Sequence, residues 1–269
     1  MMEEHLGNKP IKEKQSTRRF GLRLLIPLAA SYIVLFVLSL EWSHTLKVQR
    51  VIVEGSSIIP THEIVKLANV KPQASMDNLD LFAIRQHIRK QPFINSVALN
   101  RRYPDALCVK ITERNPIAAI NTGELQYVDG KGVLLPHSPS QAKFDLPLVS
   151  GVHRIESAEV GALLINKDIF EAIELLTIAQ AIDSSLYHLI SEVNMNDGGD
   201  IILYAGDSGN PIFFGRGHTE KKLLTLYEFW KNYITSATSE NVRYIDLRFE
   251  GQVVAKWDQT DGQTTKVEL

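Results

Sequence analysis

The sequence predicts an α+β protein: a single N-terminal transmembrane helix, then a β-α-α-β-β domain, then a mostly antiparallel β domain with flanking helices. Three observations carry that prediction. Residues 24–40, LLIPLAASYIVLFVLSL, contain no charge. Residues 46–114 alternate between strand-like and helix-like apolar spacing in a fixed order. Residues 115–258 hold many short β-branched runs broken by Gly, Asp, Asn and Pro, with two longer helical patterns among them.

The uncharged run comes first. It spans roughly 25 Å as a helix, the short end of what a bilayer needs. Leu24 and Leu40 mark its ends. Arg23 can snorkel at one end, Trp42 suits the headgroup region at the other, and Pro27 falls in the first turn. A cleaved signal peptide needs a shorter core and a small-x-small site after it, whereas this run ends Ser39-Leu40-Glu41-Trp42. Lys9, Lys12, Lys14, Arg18, Arg19 and Arg23 precede it, and charges balance after it. The positive-inside rule therefore puts the tail, residues 1–23, in the cytoplasm and the remainder outside.

The first domain, 46–114, opens with a strand at 48–54 ending at Gly55. Thr61 is placed to cap a helix with Ile64, Val65, Leu67 and Ala68 on its apolar side, and Lys71-Pro72 stops it. Asp80 opens a second helix carrying Leu81, Ile84 and Ile88. Residues 93–100 and 107–113 read as strands joined by a turn at Arg101-Arg102-Tyr103-Pro104. Such a unit buries one sheet face under two helices. Glu113 and Pro116 bound the connection to the next domain, where the proline ring stiffens the backbone into a joint.

The second domain, 115–258, is read as strands at 117–120, 125–128, 133–135, 146–149, 186–194, 200–205 and 211–214, with a helix at 168–182. Thr219 is placed to cap a helix at 220–234 whose Leu223, Leu224, Tyr227 and Trp230 face inward. A hairpin at 242–249 and 252–257 closes the domain, and 259–269 is a polar tail with little to form another strand. The strand at 252–257 is then expected at a sheet edge.

Several function classes find little support. Net charge is −2, so no basic field invites nucleic acid. The one cysteine, Cys108, allows no intramolecular disulfide and alternates as a packing residue would. The histidines form no H-x-H or H-E-x-x-H spacing, and neither a P-loop nor a dinucleotide glycine motif is present. No cofactor, metal or small-molecule substrate is expected. GDSGNP at 206–211 is close to the nucleophile loop of chymotrypsin-like proteases, with Ser208 as attacker, but a hairpin turn explains it and the partners of a triad are missing. Glu171 and Glu174, one helical turn apart, suit a solvated face better than an acid/base pair.

The segments VQRVIVEGSSIIPTHEIVKLANV, QPFINSVALNRRYPDALCVKITERNPIAAI, YVDGKGVLLP, LPLVSG and YIDLRFEGQVVAKW resemble the bacterial cell-division family FtsQ, called DivIB in some bacteria. The first-domain pattern resembles a POTRA domain. The likeness runs over roughly residues 20–258, and the order of the pieces behind one anchor is its most specific feature. It implies a non-enzymatic protein of the cytoplasmic (inner) membrane at the division septum, in contact with FtsB- and FtsL-like partners. It also implies that a partner extends the last strand. The residues read as partner-facing are Tyr244, Arg248, Phe249, Val253, Val254 and Trp257. Phe249 and Val253 as core, with Arg248 as a solvated charge, is the competing reading. Two other functions stay open: a membrane-anchored hydrolase of cell wall or protein, and a POTRA-type chaperone of membrane-protein assembly.

Overall fold

The structure is a computed structural model and describes residues 27–38, 46–137, 144–153, 158–206, 209–234, 242–257 and 264–268. Residues 27–38 form a helix, α1, exposed along its length, with Tyr32, Ile33, Leu35 and Phe36 all open to solvent. No helix among the described residues is long and apolar enough to cross a membrane. Leu24 and Leu40, the expected ends of the anchor, lie outside the described residues.

A three-stranded sheet follows, in the order β1-β3-β2, from β1 (Arg50–Glu54), β2 (Ile94–Arg102) and β3 (Ala106–Glu113). Helices α2 (Thr61–Ala68) and α3 (Leu81–Arg89) lie between β1 and β2 in sequence and touch each other. Ile64, Ala68, Ile84 and Ile88 are buried, spaced as one face of each helix requires. In β3, Leu107, Val109 and Ile111 are buried, and so is Cys108. Two of the sequence expectations shift. Thr61 is the first helical residue rather than its cap; Pro60 holds the cap position and, having no side-chain acceptor, makes no capping bond. Arg101 and Arg102 belong to strand β2, not to the turn. Arg101 is held there because its guanidinium donates to the Met76 and Leu79 carbonyls at 2.7 and 3.0 Å.

The described chain gathers into two compact units. The smaller takes the residues up to Ile52 together with Lys71–Asp80 and Asn100–Leu107. It is tied by the Arg50–Asp105 ion pair at 2.8 Å and by the Tyr103 hydroxyl donating to Asp77 at 2.9 Å. The larger takes Val53–Val70, Leu81–Leu99 and Cys108–Leu269.

The larger unit is dominated by a ten-stranded mixed sheet, ordered β13-β12-β11-β10-β9-β8-β7-β4-β5-β6. Its strands are β4 (Pro116–Asn121), β5 (Leu125–Asp129), β6 (Leu134–Leu135), β7 (Leu148–Ser150), β8 (Ile190–Asn194), β9 (Ile202–Ala205), β10 (Pro211–Phe213), β11 (Val242–Asp246), β12 (Gln252–Trp257) and β13 (Thr264–Glu268). The pairs β4/β7, β7/β8 and β10/β11 are parallel and the other six antiparallel. Helices α4 (Lys167–Ile182), α5 (Ser184–Leu189) and α6 (Thr219–Tyr233) bury Ile169, Leu176, Leu186, Leu223 and Phe229 in one core with Ile120, Val149, Val193, Leu203, Ile212, Ile245 and Val253. These strand positions share one face of the sheet: from Ile120 to Ile245 each is opposite the next in the pairing register, and Val253 lies two residues along β12 from Ala255, the partner of Ile245.

The structure corrects four expectations here. Residues 184–189 form α5 rather than the start of a strand. The Asp183 carboxylate accepts from the Ser185 N–H at 2.7 Å and from its hydroxyl, an N-cap that turns the chain into a helix before β8 begins. Thr219 is inside α6, whose cap is His218 at φ +52°. Leu224 is exposed; Leu226 and Phe229 take the buried positions one helical step away, with Tyr227 and Trp230 partly buried beside them. The stretch after Trp257 is not purely a tail: Thr264–Glu268 forms β13 and pairs antiparallel with β12. β12 is therefore an inner strand. The alternation of β12 is legible in the sequence, whereas the polarity of the Thr-Thr-Lys-Val-Glu run hides a strand there, although Thr and Val favour strands.

Candidate interaction site

The connection between the two domains read from sequence is built around two carboxylates. β1 ends at Gly55, whose φ is +85°; a Cβ there would meet the Ile111 carbonyl oxygen of β3 at 2.3 Å. Only glycine allows so close an approach at that φ. The turn it makes aims three successive N–H groups at one side chain. Glu113 accepts from Ser57 N–H at 2.9 Å, Ile58 N–H at 2.8 Å, Ile59 N–H at 2.9 Å and the Ser57 hydroxyl at 2.7 Å. Burial alone would push this carboxyl up, but those donors outweigh it and hold Glu113 below the usual carboxylate range. Next, the Arg114 guanidinium meets Asp129 at 2.7 Å, and Asp129, itself buried, accepts from the Lys131 and Val133 N–H groups. Pro116 then opens β4 opposite Asp129. Side-chain bonds thus brace Glu113 and Arg114, a feature that composition and proline alone did not reveal.

The partner-facing residues expected from sequence fall at the other end of the large sheet, and the structure separates them. In the β11/β12 register, Tyr244 is opposite Lys256, and Asp246 is opposite Val254. These four share the face opposite the helices, together with Phe213, which stands opposite Asp246. Phe213 and Tyr244 meet edge to face at 5.8 Å between centroids, and the Arg248 guanidinium lies 5.2 Å over the Phe213 ring. Phe249 is 55% exposed on the turn between β11 and β12. Val253 is fully buried on the helix side, which removes it from any partner surface. Trp257 is only partly buried but packs against the same core, so it is on the side away from Tyr244 and Val254.

Arg248 is fixed rather than free. The buried Asp246 carboxylate accepts from Arg248 Nε at 3.0 Å, from its terminal nitrogen at 2.7 Å and from its backbone N–H at 3.0 Å. A second terminal nitrogen reaches Asp200 at 3.2 Å. Burial pushes Asp246 up, yet the bonds from Arg248 and the nearby Lys222 charge hold it below the usual range. The hydrogen bonds to Asp246 and Asp200 raise Arg248 further above its ordinary value. Lys222 donates to the Phe214 and Arg216 carbonyls at 2.9 and 3.1 Å, and burial draws its ammonium down. Arg216, His218, Lys221, Lys222, Arg248 and Phe249 border a cavity of about 220 Å³ at the start of α6. Sequence reading missed Phe213 and Lys222, which carry no motif and are brought in only by the β10/β11 pairing and the first turn of α6.

The enzyme-like motifs do not assemble among the described residues. Ser208 lies outside them; β9 and β10, on either side of it in sequence, pair antiparallel, with Ala205 N–H donating to the Asn210 carbonyl at 3.1 Å. Glu171 pairs with Arg216, which also reaches Asp168 at 3.0 Å, while Glu174 is exposed on α4.

A small β-α-α-β-β module followed by a larger mixed sheet backed by helices defines a two-module class of protein. Family models match both modules: "POTRA domain, FtsQ-type" over residues 46–114, and "FtsQ/DivIB, C-terminal related" over residues 115–256. Among similar proteins is the Cell division protein FtsQ of Rhodothermus marinus, 26% identical over 94% of this chain and 92% of the relative. That of Salinibacter ruber is 27% identical over 87% and 92%, and that of Geotalea daltonii 27% identical over 78% and 75%. The chain belongs to the FtsQ/DivIB family of cell division proteins.

Proposed function

We propose that this chain is a non-enzymatic, single-pass protein of the inner membrane that scaffolds assembly at the division septum. Its N-terminus lies in the cytoplasm and its body outside, and it contacts FtsB- and FtsL-type partners through the β10–β12 end of the large sheet. Family membership supports the division role. The observation that carries the site is the exposed Phe249 beside the braced Arg248, with Phe213, Tyr244 and Val254 on the adjoining sheet face. An exposed aromatic next to an oriented guanidinium is the composition of an interface hot spot.

The test follows from which residues can change without unfolding the domain. Trp257 packs on the core and Arg248 neutralises a buried carboxylate, so replacing them confounds folding with binding. Phe249→Ser removes an exposed ring only. In pull-downs from solubilised membranes it should weaken capture of an FtsB-type partner at least tenfold, with thermal unfolding unchanged. Wild-type capture by this variant places the contact elsewhere. A periplasmic reporter fused after Leu269 should be active; an inactive one overturns the topology.

A further inference from the structure

We propose that β13 is an intramolecular stand-in: Thr264–Glu268 occupies the edge of β12 that an incoming partner strand would use, and so competes with it. This rests on the reading that the partner docks at the C-terminal end of the large sheet.

The two ends of the ten-stranded sheet are finished differently. At the β6 end, the fold closes its own edge. Leu134 N–H donates to the Ala162 carbonyl at 2.9 Å, Gly161 N–H returns to the Leu134 carbonyl at 2.7 Å, and Leu164 N–H reaches the Gly132 carbonyl at 2.9 Å. Leu134 and Leu135 are fully buried there. The segment that covers this edge is itself anchored, because its Leu164 is buried in the core. At the other end β12 is a fixed template. Val253 and Ala255 are buried in the core, and β11 pairs with it on one side. Its second side is completed by β13 alone, in an unbroken register from Gln252 opposite Glu268 to Lys256 opposite Thr264. β13 in turn has one strand neighbour in the sheet order, whereas β12 has two.

That asymmetry defines an exchangeable position. A strand hydrogen-bonded along one side only is removed without disturbing any other pairing, and the edge it leaves is a template for another extended chain. The register states what fits. The occupant runs antiparallel to β12 for five residues, with Thr265 opposite Ala255 and Val267 opposite Val253. A competing segment should therefore carry small or β-branched apolar residues at alternate positions, with polar residues between them. While β13 is seated, only the fraction of molecules with the edge open can accept such a segment, so apparent affinity falls by that fraction.

The experiment compares the full chain with one ending at Trp257. The probe is a fluorescein-labelled synthetic peptide of residues 263–269, read by fluorescence anisotropy. The shortened chain should bind it at least tenfold more tightly than the full chain, and should capture the partner of the preceding section more tightly by a similar factor. A full-length Lys266→Pro variant, which cannot complete the ladder, should resemble the shortened chain and guards against loss of fold on truncation. Equal peptide binding by the full and shortened chains overturns the proposal, as does failure of a folded shortened chain to bind. Weaker partner capture after truncation overturns it too, because β13 would then be the docking strand itself. Capture of the partner by neither form refutes the partner reading, while the peptide arm still reports the exchange independently.

Discussion

Replacing Glu113 by Gln tests whether one carboxylate braces the turn after β1. In the native geometry one oxygen accepts from Ser57 N–H, Ser57 hydroxyl and Ile58 N–H, and the other accepts from Ile59 N–H. Glutamine can present its carbonyl to the first group, but its NH₂ then faces the Ile59 N–H, donor against donor. Ile59 is 2% exposed, so water cannot take over that bond. Stranding one buried donor costs about 1–3 kcal/mol, and weakening the remaining bonds from charge-assisted to neutral adds to it, so a loss of about 2 kcal/mol is expected. The pH dependence has a definite sign. The folded carboxyl lies below its unfolded value, so its contribution is fully present above about pH 4.3 and is lost as pH falls through the folded value. Urea unfolding of the full chain in detergent, followed by amide exchange at Ile58 and Ile59, reads both effects. The Gln variant should expose these amides at pH 7 and lack the wild-type acid-dependent loss. Wild-type protection in the variant, or the same acid profile in both, refutes the brace.

Arg248→Ala should destabilise the large unit by about 1–2 kcal/mol, since it strands the buried Asp246 charge but acts from a partly exposed position. Adding Asp246→Asn should recover part of that loss in thermal unfolding, and a purely additive pair would deny the coupling. Tyr187, whose hydroxyl donates to the Ile117 carbonyl at 2.8 Å, is pushed up by burial to about 12. Its ionisation at 295 nm should therefore follow those of exposed tyrosines, and Tyr187→Phe should abolish that late step. If the connection ending at Pro116 is a stiff joint, Asn115-Pro116 changed to Gly-Gly should broaden the small-angle scattering distance distribution while both sheets stay folded; an unchanged profile argues against the joint.

Much of this architecture could be read from residue spacing, for reasons particular residues make plain. Ile64 and Ala68, or Leu107, Val109 and Ile111, sit at periods that survive folding because one face of each element is buried. The readings that failed depended on short polar chemistry. Asp183 capping Ser185 converts a strand-like run into α5, and the Thr-rich β13 lacks the apolar alternation that marked β12. The candidate surface was half legible: the sequence leaves Phe249 between an exposed aromatic and a core residue, the structure exposes it, and which neighbours share its side depends on pairing register. Val253 and Val254 differ by one position and fall on opposite faces.

The three parallel pairs in the large sheet carry a consequence for how the protein is made. Antiparallel neighbours such as β4/β5 or β9/β10 can zip from their turns as soon as the chain is available. The β7/β8 pair must wait until α4 and α5 have emerged, and the β10/β11 pair until α6 has. Until those helices dock, β8, β9 and β10 present an apolar face and unpaired rims, the condition in which chains stick to one another. The central strands thus depend on segments synthesised between and after them. A truncation anywhere before Val242 should therefore leave a sheet that cannot close, rather than a smaller stable domain.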